Sequence, residues 1–325
     1  MAKQYREQTI RFQNGEMDLA GVLCLPQGSP PYPAVVFIHG SGPASRDGLT
    51  MFPPMWEAFA QRGIASLAWD KPGVGESSGD WRFQSALDRA QESIAAIQFL
   101  QQHPEIDASR SGCWGSSQAG WIMPIAYSLS PSSIAFIIAN SVAIDGEKQE
   151  AFRVAHQLPA DGYTQRDAEK ALAFTELRFE FGHRDMSYES YTKLQQLVED
   201  EPWMNEVFGM GPQEYAGFKQ SLQPDPHHKP VAEYLEQISC PILVIFGERD
   251  MLVDINESIG VYTAALQKAG NHDVTIKVFP EADHCLFVSQ TGGLKEMRRM
   301  WEAPVKVFVP GYLDTIAEWV RKRFI

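Results

Sequence analysis

Short runs of consecutive apolar residues alternate along the chain with segments in which apolar residues recur every three or four positions. The runs at 34–38, 64–69 and 241–246 are typical of strands that are buried on both faces, as in a parallel sheet. The recurrence of apolar residues every three or four positions predicts an amphipathic helix that ends before Pro104. Its apolar face is formed by Leu87, Ala90, Ile94, Ile97 and Leu100.

Further patterns extend this order of elements. Residues 8–25 alternate between apolar and polar and turn at Asn14-Gly15, which predicts an antiparallel hairpin at an edge of the sheet. Apolar runs at 134–139 and 274–279 predict two more strands, and residues 312–323 predict a closing helix with a basic last turn. Strands that alternate with helices indicate an α/β fold, with a mostly parallel central sheet flanked by helices.

The segment 145–239 interrupts the alternation. It has no convincing strand but shows helical patterning at 165–181 and 189–198. We therefore predict a helical insertion between two parts of one sheet domain, residues 1–144 and 240–325. The segment is rich in aromatic residues and methionine: Phe174, Phe179, Phe181, Tyr188, Tyr191, Trp203, Met204, Phe208 and Met210.

Composition narrows the class of protein. The chain has 325 residues, of which 44% are hydrophobic and 21% charged, so disordered, collagen-like and coiled-coil proteins are excluded. Its 28 lysines and arginines stand against 41 acidic residues, a net charge of -13. A nucleic-acid-binding protein normally has the opposite balance, because it must neutralise phosphates. We expect no nucleic-acid partner.

The chain has no apolar segment long enough to cross a bilayer, and residues 1–10 do not resemble a signal peptide. Its four cysteines are scattered and include no C-x-x-C pair, which predicts reduced thiols and neither a disulfide framework nor a metal site. These features predict a soluble, cytoplasmic protein with no membrane partner.

One serine has the surroundings of a nucleophile. The sequence G-S-S-Q-A-G at 115–120 follows a short predicted strand and precedes a predicted helix, as in a nucleophile elbow. Such a turn is sharp, so the positions two before and two after the nucleophile must be small, and Gly115 and Ala119 satisfy this. The candidate nucleophile is Ser117, whereas we expect Ser116 to pack or to form local hydrogen bonds. The pattern alone is common in loops.

An acid and a base follow later predicted strands. The strand at 241–246 leads directly to Asp250, and the strand at 274–279 leads to His284. Both side chains are then expected at the carboxyl edge of the sheet, the edge that carries Ser117. The order serine, aspartate, histidine, with the insertion between the first two, is that of an α/β-hydrolase catalytic triad.

With these residues in place, the sequence resembles the α/β-hydrolase superfamily, in its serine-esterase and peptidase-like branch with an inserted helical lid. The stretch H-G-S-G-P at 39–43 is similar to the loop that completes the oxyanion hole in such esterases, and D-K-P-G-V-G-E-S at 70–77 resembles the family's D-x-x-G-x-G-x-S turn. The elbow departs from the usual G-H-S-x-G-G, because Ser116 and Ala119 replace the histidine and one glycine.

The resemblance implies a role for each residue. Ser117 would form the acyl-enzyme, His284 would act as general base and then general acid, and Asp250 would orient the imidazole. The backbone N–H groups of Ser41 and Gln118 would form the oxyanion hole, with Gly42 as an alternative to Ser41.

Other residues offer competing interpretations of this site. His39 could act as a second base, although a histidine that opens such a loop more often braces it. Asp254 could replace Asp250 as the acid, whereas Asp283 adjoins the base and its side chain should diverge from it. His227-His228 has no matching ligand set for a metal.

The sequence thus predicts a carboxylic-ester hydrolase that acts on a small-molecule acyl substrate and needs no cofactor. The same triad would serve a peptidase or an acyl-thioester hydrolase, and a non-catalytic binding protein with this fold is a further alternative. A haloalkane dehalogenase or epoxide hydrolase is excluded because it would need a carboxylate at Ser117. A homo-oligomer is possible. The lid, 145–239, is expected to line the substrate pocket, with a side-mounted helical subdomain as the alternative.

Overall fold

A computed structural model of the chain describes residues 3–207, 209–222 and 229–325. Within these ranges eight strands form one sheet. The strands are β1 (Tyr5–Asn14), β2 (Met17–Pro26), β3 (Tyr32–Ile38), β4 (Ala65–Trp69), β5 (Ile106–Ser116), β6 (Ile137–Asn140), β7 (Ile242–Gly247) and β8 (Val274–Phe279). The helices are α1 (Phe52–Ala60), α2 (Ala86–Gln101), α3 (Ala119–Leu129), α4 (Gly146–Ala160), α5 (Gln165–His183), α6 (Tyr188–Gln196), α7 (Pro212–Leu222), α8 (Val231–Leu235), α9 (Ile255–Lys268), α10 (Leu294–Glu302) and α11 (Tyr312–Phe324).

The strand order is β1-β2-β4-β3-β5-β6-β7-β8. The predicted hairpin is confirmed: β1 pairs antiparallel with β2 around Asn14 and Gly15, and Gly15 has the positive φ (+59°) that such a tight turn requires. From β4 to β8 every pairing is parallel. The fold is therefore the predicted one, a mostly parallel sheet flanked by helices.

The parallel register brings several loops to one edge of the sheet. Ile38 at the end of β3 pairs with Gly115 of β5, and Ser116 pairs with Asn140 at the end of β6. Gly247 pairs with Phe279 where β7 and β8 end. The loops that follow β3, β5, β6, β7 and β8 consequently all leave from the same carboxyl edge, where α/β sheets place their ligand sites.

Two apolar cores cover the two faces of the sheet. One core packs residues of α2, α3, α8 and α9 against one face, and the other packs α1 and α11 against the opposite face. The central strands β3, β4 and β7 are buried along their whole length, which explains their continuous apolar sequences. All four cysteines are free and buried.

The segment 145–239 contributes α4 to α8 between β6 and β7, and its described residues include no strand. The helices predicted at 165–181 and 189–198 are present as α5 and α6. The segment has an apolar cluster of its own, built on Val154, Leu158, Phe174 and Trp203. By contrast, Val231 and Leu235 of α8 pack in the core that α2, α3 and α9 form on one face of the sheet. Phe208 lies outside the described residues.

Polar contacts join this segment to the rest of the molecule at separate places. The carboxylate of Glu214 on α7 lies 3.3 Å from the guanidinium of Arg82. Arg82 belongs to a short 3-10 helix (Trp81–Phe83) that follows β4. On α10, Arg298 pairs with Glu206 at 2.8 Å, and the Lys295 N–H donates to Asp161 at 3.1 Å.

Across the described ranges, none of the helices has both the length and the apolar character needed to cross a bilayer.

Candidate active site

Ser117 occupies a strained turn between β5 and α3. Its φ is +54°, in the left-handed region that costs a non-glycine residue on the order of 1–3 kcal/mol. Backbone bonds hold the turn: the Ser117 N–H donates to the Asn140 carbonyl at 3.1 Å, and the Gly120 N–H donates to the Ser117 carbonyl at 2.9 Å. A Cβ on Gly115 would lie 2.6 Å from the Cβ of Ala119, so the elbow has no room for larger side chains.

Asp250 and His284 meet in a buried hydrogen bond. The Nδ1–H of His284 donates to Oδ2 of Asp250 at 2.8 Å. The other carboxylate oxygen accepts the N–H groups of Leu252 at 2.8 Å and Val253 at 3.0 Å, which fix its orientation. With Nδ1 carrying the proton, Nε2 of the neutral ring is left as a proton acceptor.

The loops that carry the acid and the base lie side by side. The Arg249 N–H donates to the Ala282 carbonyl at 2.9 Å. A Cβ on Gly247 would lie 2.3 Å from the Asp283 carbonyl oxygen, so β7 must end in glycine for the two loops to approach this closely. The spacing of Asp250 and His284 is thus set by backbone contacts.

Burial and charge act in opposite directions on the base. Burial lowers the pKa of His284, but the Asp250 charge and hydrogen bond outweigh it, so the pKa lies above its ordinary value. The neighbouring Asp283 is also buried, which raises the pKa of its carboxyl to about 7. Its Oδ1 accepts the N–H groups of Cys285 and Phe287, at 2.9 and 3.0 Å, and so shapes the loop around the histidine.

Ser117 and His284 lie on the same edge, with β6 and β7 between their parent strands. In the described part of the chain no hydrogen bond joins the Ser117 hydroxyl to His284. In enzymes without substrate this contact is often long and shortens in the reacting complex. The structure therefore brings the acid and base together and holds the serine at the same edge.

The loop after β3 lies against the elbow. A Cβ on Gly40 would lie 3.3 Å from the Cβ of Ser117. The N–H groups of Ser41, Gly42 and Gln118 donate to no other residue within the described ranges, so all three are available as donors. The sequence predicted Ser41 and Gln118 as the donors of the oxyanion hole, with Gly42 as the alternative to Ser41.

His39 braces this loop. Its Nε2–H donates to the Trp69 carbonyl at 2.6 Å, and its ring stacks on Phe52 with the centroids 5.2 Å apart. Burial lowers the pKa of His39 to about 3, so the ring is neutral at ordinary pH. These contacts match the structural role that the sequence favoured over a second base.

Asp254 is occupied elsewhere. Its Oδ1 accepts the N–H groups of Asn256 at 2.9 Å and Glu257 at 3.1 Å, which makes it the N-cap of α9. The structure thus pairs His284 with Asp250. The pair His227-His228 lies outside the described residues.

Comparison with known proteins shows the family of this chain. The family model described as "Alpha/beta hydrolase family" matches residues 35–294. The chain belongs to this family. Among its curated relatives, esterase EstD of Thermotoga maritima is 25% identical over 308 residues, which cover 94% of this chain and 66% of that protein. The chain thus spans slightly less than two thirds of that relative's length.

Solved structures share the hydrolase fold at low identity. An esterase of Pyrococcus furiosus has a TM-score of 0.58 at 18% identity, covering 85% of this chain and 83% of its own. Est1E of Butyrivibrio proteoclasticus, solved with ferulic acid bound, has a TM-score of 0.56 at 16% identity, covering 96% of each chain.

The sequence patterns did not indicate two further cations near this site, Lys71 and Arg89. Both are buried, and both donate hydrogen bonds to the loop after β3. A signal existed for Arg89, because it lies eight residues before Ile97 and four before Ser93, on the buried face of α2. For Lys71 the D-x-x-G-x-G-x-S resemblance indicated a turn and carried no sign of burial.

Proposed function

We propose that this hydrolase cleaves carboxylic esters of small molecules through an acyl-enzyme on Ser117. The observation that carries the proposal is the buried 2.8 Å hydrogen bond between Asp250 and His284, on the sheet edge that holds Ser117 in its elbow. A serine hydroxyl is a weak nucleophile unless a base takes its proton, and this pair supplies an oriented base.

In the first half of the reaction, the Ser117 Oγ attacks the ester carbonyl carbon while His284 Nε2 takes the hydroxyl proton. The carbonyl oxygen becomes an oxyanion, and Asp250 stabilises the imidazolium that forms. When the tetrahedral intermediate collapses, the bond to the alcohol oxygen breaks and His284 returns the proton to that oxygen. Water then repeats the sequence on the acyl-enzyme, releasing the acid and restoring the serine.

The oxyanion hole in this scheme consists of the N–H groups of Ser41 and Gln118. Among the residues that the structure describes, neither N–H has a hydrogen-bond partner, and the two belong to the loops that Gly40 brings into contact. Loss of one such donor typically costs about 3–4 kcal/mol of transition-state stabilisation.

In the same proposal, residues 145–239 form a lid over a catalytic domain made of 1–144 and 240–325. The segment departs from the carboxyl end of β6, next to the Ser117 elbow. It contacts the Trp81–Phe83 helix and α10, elements that follow β4 and the His284 loop. A lid in this place would exclude water from the acyl-enzyme and select the acyl chain.

The relatives named as esterases support an ester as substrate. Because one triad serves esters, thioesters and amides, the leaving group is decided by assay. A panel of p-nitrophenyl esters, acyl thioesters and aminoacyl amides should show the highest kcat/KM for an ester. A clear preference for thioesters or amides would replace the proposed leaving group.

The nucleophile is tested with a fluorophosphonate probe on Ser117→Ala, with Ser116→Ala as the matched control one residue away. We expect Ser117→Ala to lose labelling and to lose turnover by several orders of magnitude while remaining folded. Ser116→Ala should keep both. Labelling that persists in Ser117→Ala would show that the nucleophile lies elsewhere.

A further inference from the structure

Two buried cations hold the loop that faces Ser117. Lys71 Nζ donates to the carbonyl oxygens of Gly40 at 2.6 Å and Gly42 at 2.8 Å. From α2, Arg89 Nη2 donates to the His39 carbonyl at 2.6 Å. Both side chains are almost fully buried, at 2% exposure for the lysine and 6% for the arginine.

Arg89 also reaches the other side of the candidate oxyanion hole. Its Nη1 donates to the side-chain oxygen of Gln118, the residue after the nucleophile, and lies 3.4 Å from the Gly40 carbonyl. One guanidinium therefore joins the loop after β3 to the nucleophile elbow. These are the two segments that would supply the oxyanion donors.

Peptide geometry makes these contacts relevant to catalysis. In a trans peptide the C=O and the following N–H point in opposite directions in one plane. Lys71 holds the Gly40 carbonyl on one side, so the N–H of Ser41 is directed to the other. A hydrogen bond from a cation to the carbonyl also polarises the peptide and strengthens its N–H as a donor.

The charges around this pair do not cancel. Neither cation forms an ion pair with a carboxylate in the described part of the chain. Glu92 of α2 is the acid that faces them, and it is also the acceptor for the Trp69 indole N–H at 2.6 Å. Asp70, next in the chain, is paired with Arg46. Burying two cations near one acid is unfavourable for folding. Their excess positive charge would, however, stabilise the negative charge that develops on an oxyanion nearby.

We propose that Lys71 and Arg89 are positioning residues for the oxyanion hole. Acting through the Gly40 carbonyl and the Gln118 side chain, they align and polarise the N–H groups that receive the developing oxyanion. The inference rests on the proposed function of Ser117 and deepens it.

The test compares Lys71→Met and Arg89→Met with Lys306→Met. Lys306 is a matched control, because it is also a buried lysine whose Nζ donates to two backbone carbonyls, those of Trp301 and Ala303, away from this loop. We expect kcat to fall about ten- to a hundredfold in the first two variants. The KM should change little, since the lost interaction belongs to the transition state.

A transition-state analogue gives a readout that a purely structural role would not move. The inhibition constant of a trifluoromethyl ketone, which forms a tetrahedral oxyanion, should rise in parallel with the fall in kcat/KM. The Lys306→Met variant should keep the wild-type kcat and inhibition constant, even if it loses stability.

The pH profile of kcat, measured for the wild type and for Lys71→Met, supplies a second readout. Lys71 faces Arg89 and Glu92 from α2 and His39 from the loop after β3, with Asp70 beside it. Burial, and then the Arg89 charge, lower the pKa of Lys71 well below its usual value. The wild-type kcat should therefore fall as rising pH deprotonates Lys71, and Lys71→Met should lack that fall.

The outcomes separate this inference from the proposed function. If Ser117→Ala is inactive but Lys71→Met and Arg89→Met keep the wild-type kcat and inhibition constant, the positioning role is wrong and the nucleophile stands. If Ser117→Ala is active, the proposed function itself is wrong. Should Lys71→Met fail to fold, Arg89→Met decides, and a wild-type kcat and inhibition constant in that variant would overturn the inference.

Discussion

Gly217 of α7 packs tightly against the 3-10 helix Trp81–Phe83. A Cβ at this position would lie 2.4 Å from the Arg82 carbonyl oxygen and 3.1 Å from its carbonyl carbon. Both are backbone atoms, so they cannot rotate away. Alanine at this position would require α7 and the 3-10 helix to separate by about 1 Å to restore ordinary van der Waals contact.

The change in unfolding free energy expected for Gly217→Ala follows from two opposing effects. Alanine in place of glycine inside a helix stabilises by about 1 kcal/mol, whereas overpacking at a tight contact costs about 1–3 kcal/mol. Gly260 isolates the first effect, because it is exposed on α9 and its Cβ would meet nothing within 4 Å. We expect Gly260→Ala to raise the free energy of unfolding by about 0.5–1 kcal/mol. Gly217→Ala should lower it by up to about 2 kcal/mol.

Urea unfolding followed by linear extrapolation gives the unfolding free energy of both variants. The difference between the two values reports the strain at Gly217, because the gain in helix propensity is common to both. Ester chain-length preference measured on the same samples should change in Gly217→Ala and remain unchanged in Gly260→Ala. If Gly217→Ala is as stabilising as Gly260→Ala, α7 does not pack on Arg82 as described, and the reasoning is refuted.

Two further predictions concern the acid–base pair. Asp250→Asn removes the charge that raises the pKa of His284, so the acid limb of the kcat/KM profile should move to lower pH. The maximum rate should also fall about 10⁴-fold. An acid limb that does not move in the pH–rate profile would contradict this prediction. For Asp283, burial raises the pKa to about 7, so between about pH 4 and 7 the folded state holds a proton that the unfolded state has lost, and stability falls with rising pH over that window. Because asparagine cannot ionise, the unfolding free energy of Asp283→Asn should rise relative to that of the wild type by about 2–3 kcal/mol from pH 5 to 8. A constant difference across that range in urea titrations would count against the buried carboxyl.

Much of the sheet could be predicted because its strands have simple patterns. The hairpin alternates with period two around Asn14-Gly15, and the parallel strands are short apolar runs, since both of their faces are covered. Helix α1 was missed because Pro53 and Pro54 interrupt its pattern, although proline is tolerated in the first turn of a helix. The amino-terminal half of β5 was missed because its polar residues hid the strand.

The candidate site was predictable to the extent that its chemistry sits in turns that directly follow strands. Ser117, Asp250 and His284 each stand at such a turn, so topology alone brings them to one edge. The helical spacing placed Arg89 on the buried face of α2, but the contacts of Lys71 and Arg89 were not predictable, because their carbonyl partners come from a loop more than twenty residues away in sequence.

Among the described residues, the apolar cluster built on Val154, Leu158, Phe174 and Trp203 shares no residue with either core of the sheet. Side chains in that cluster can therefore be exchanged, and its helices lengthened or shortened, without repacking the strands that hold Asp250, His284 and Ser117. Natural variation of the chain can then act on the two parts at different rates. The sheet and the three residues at its edge can stay constant, while the helices between β6 and β7 are open to divergence.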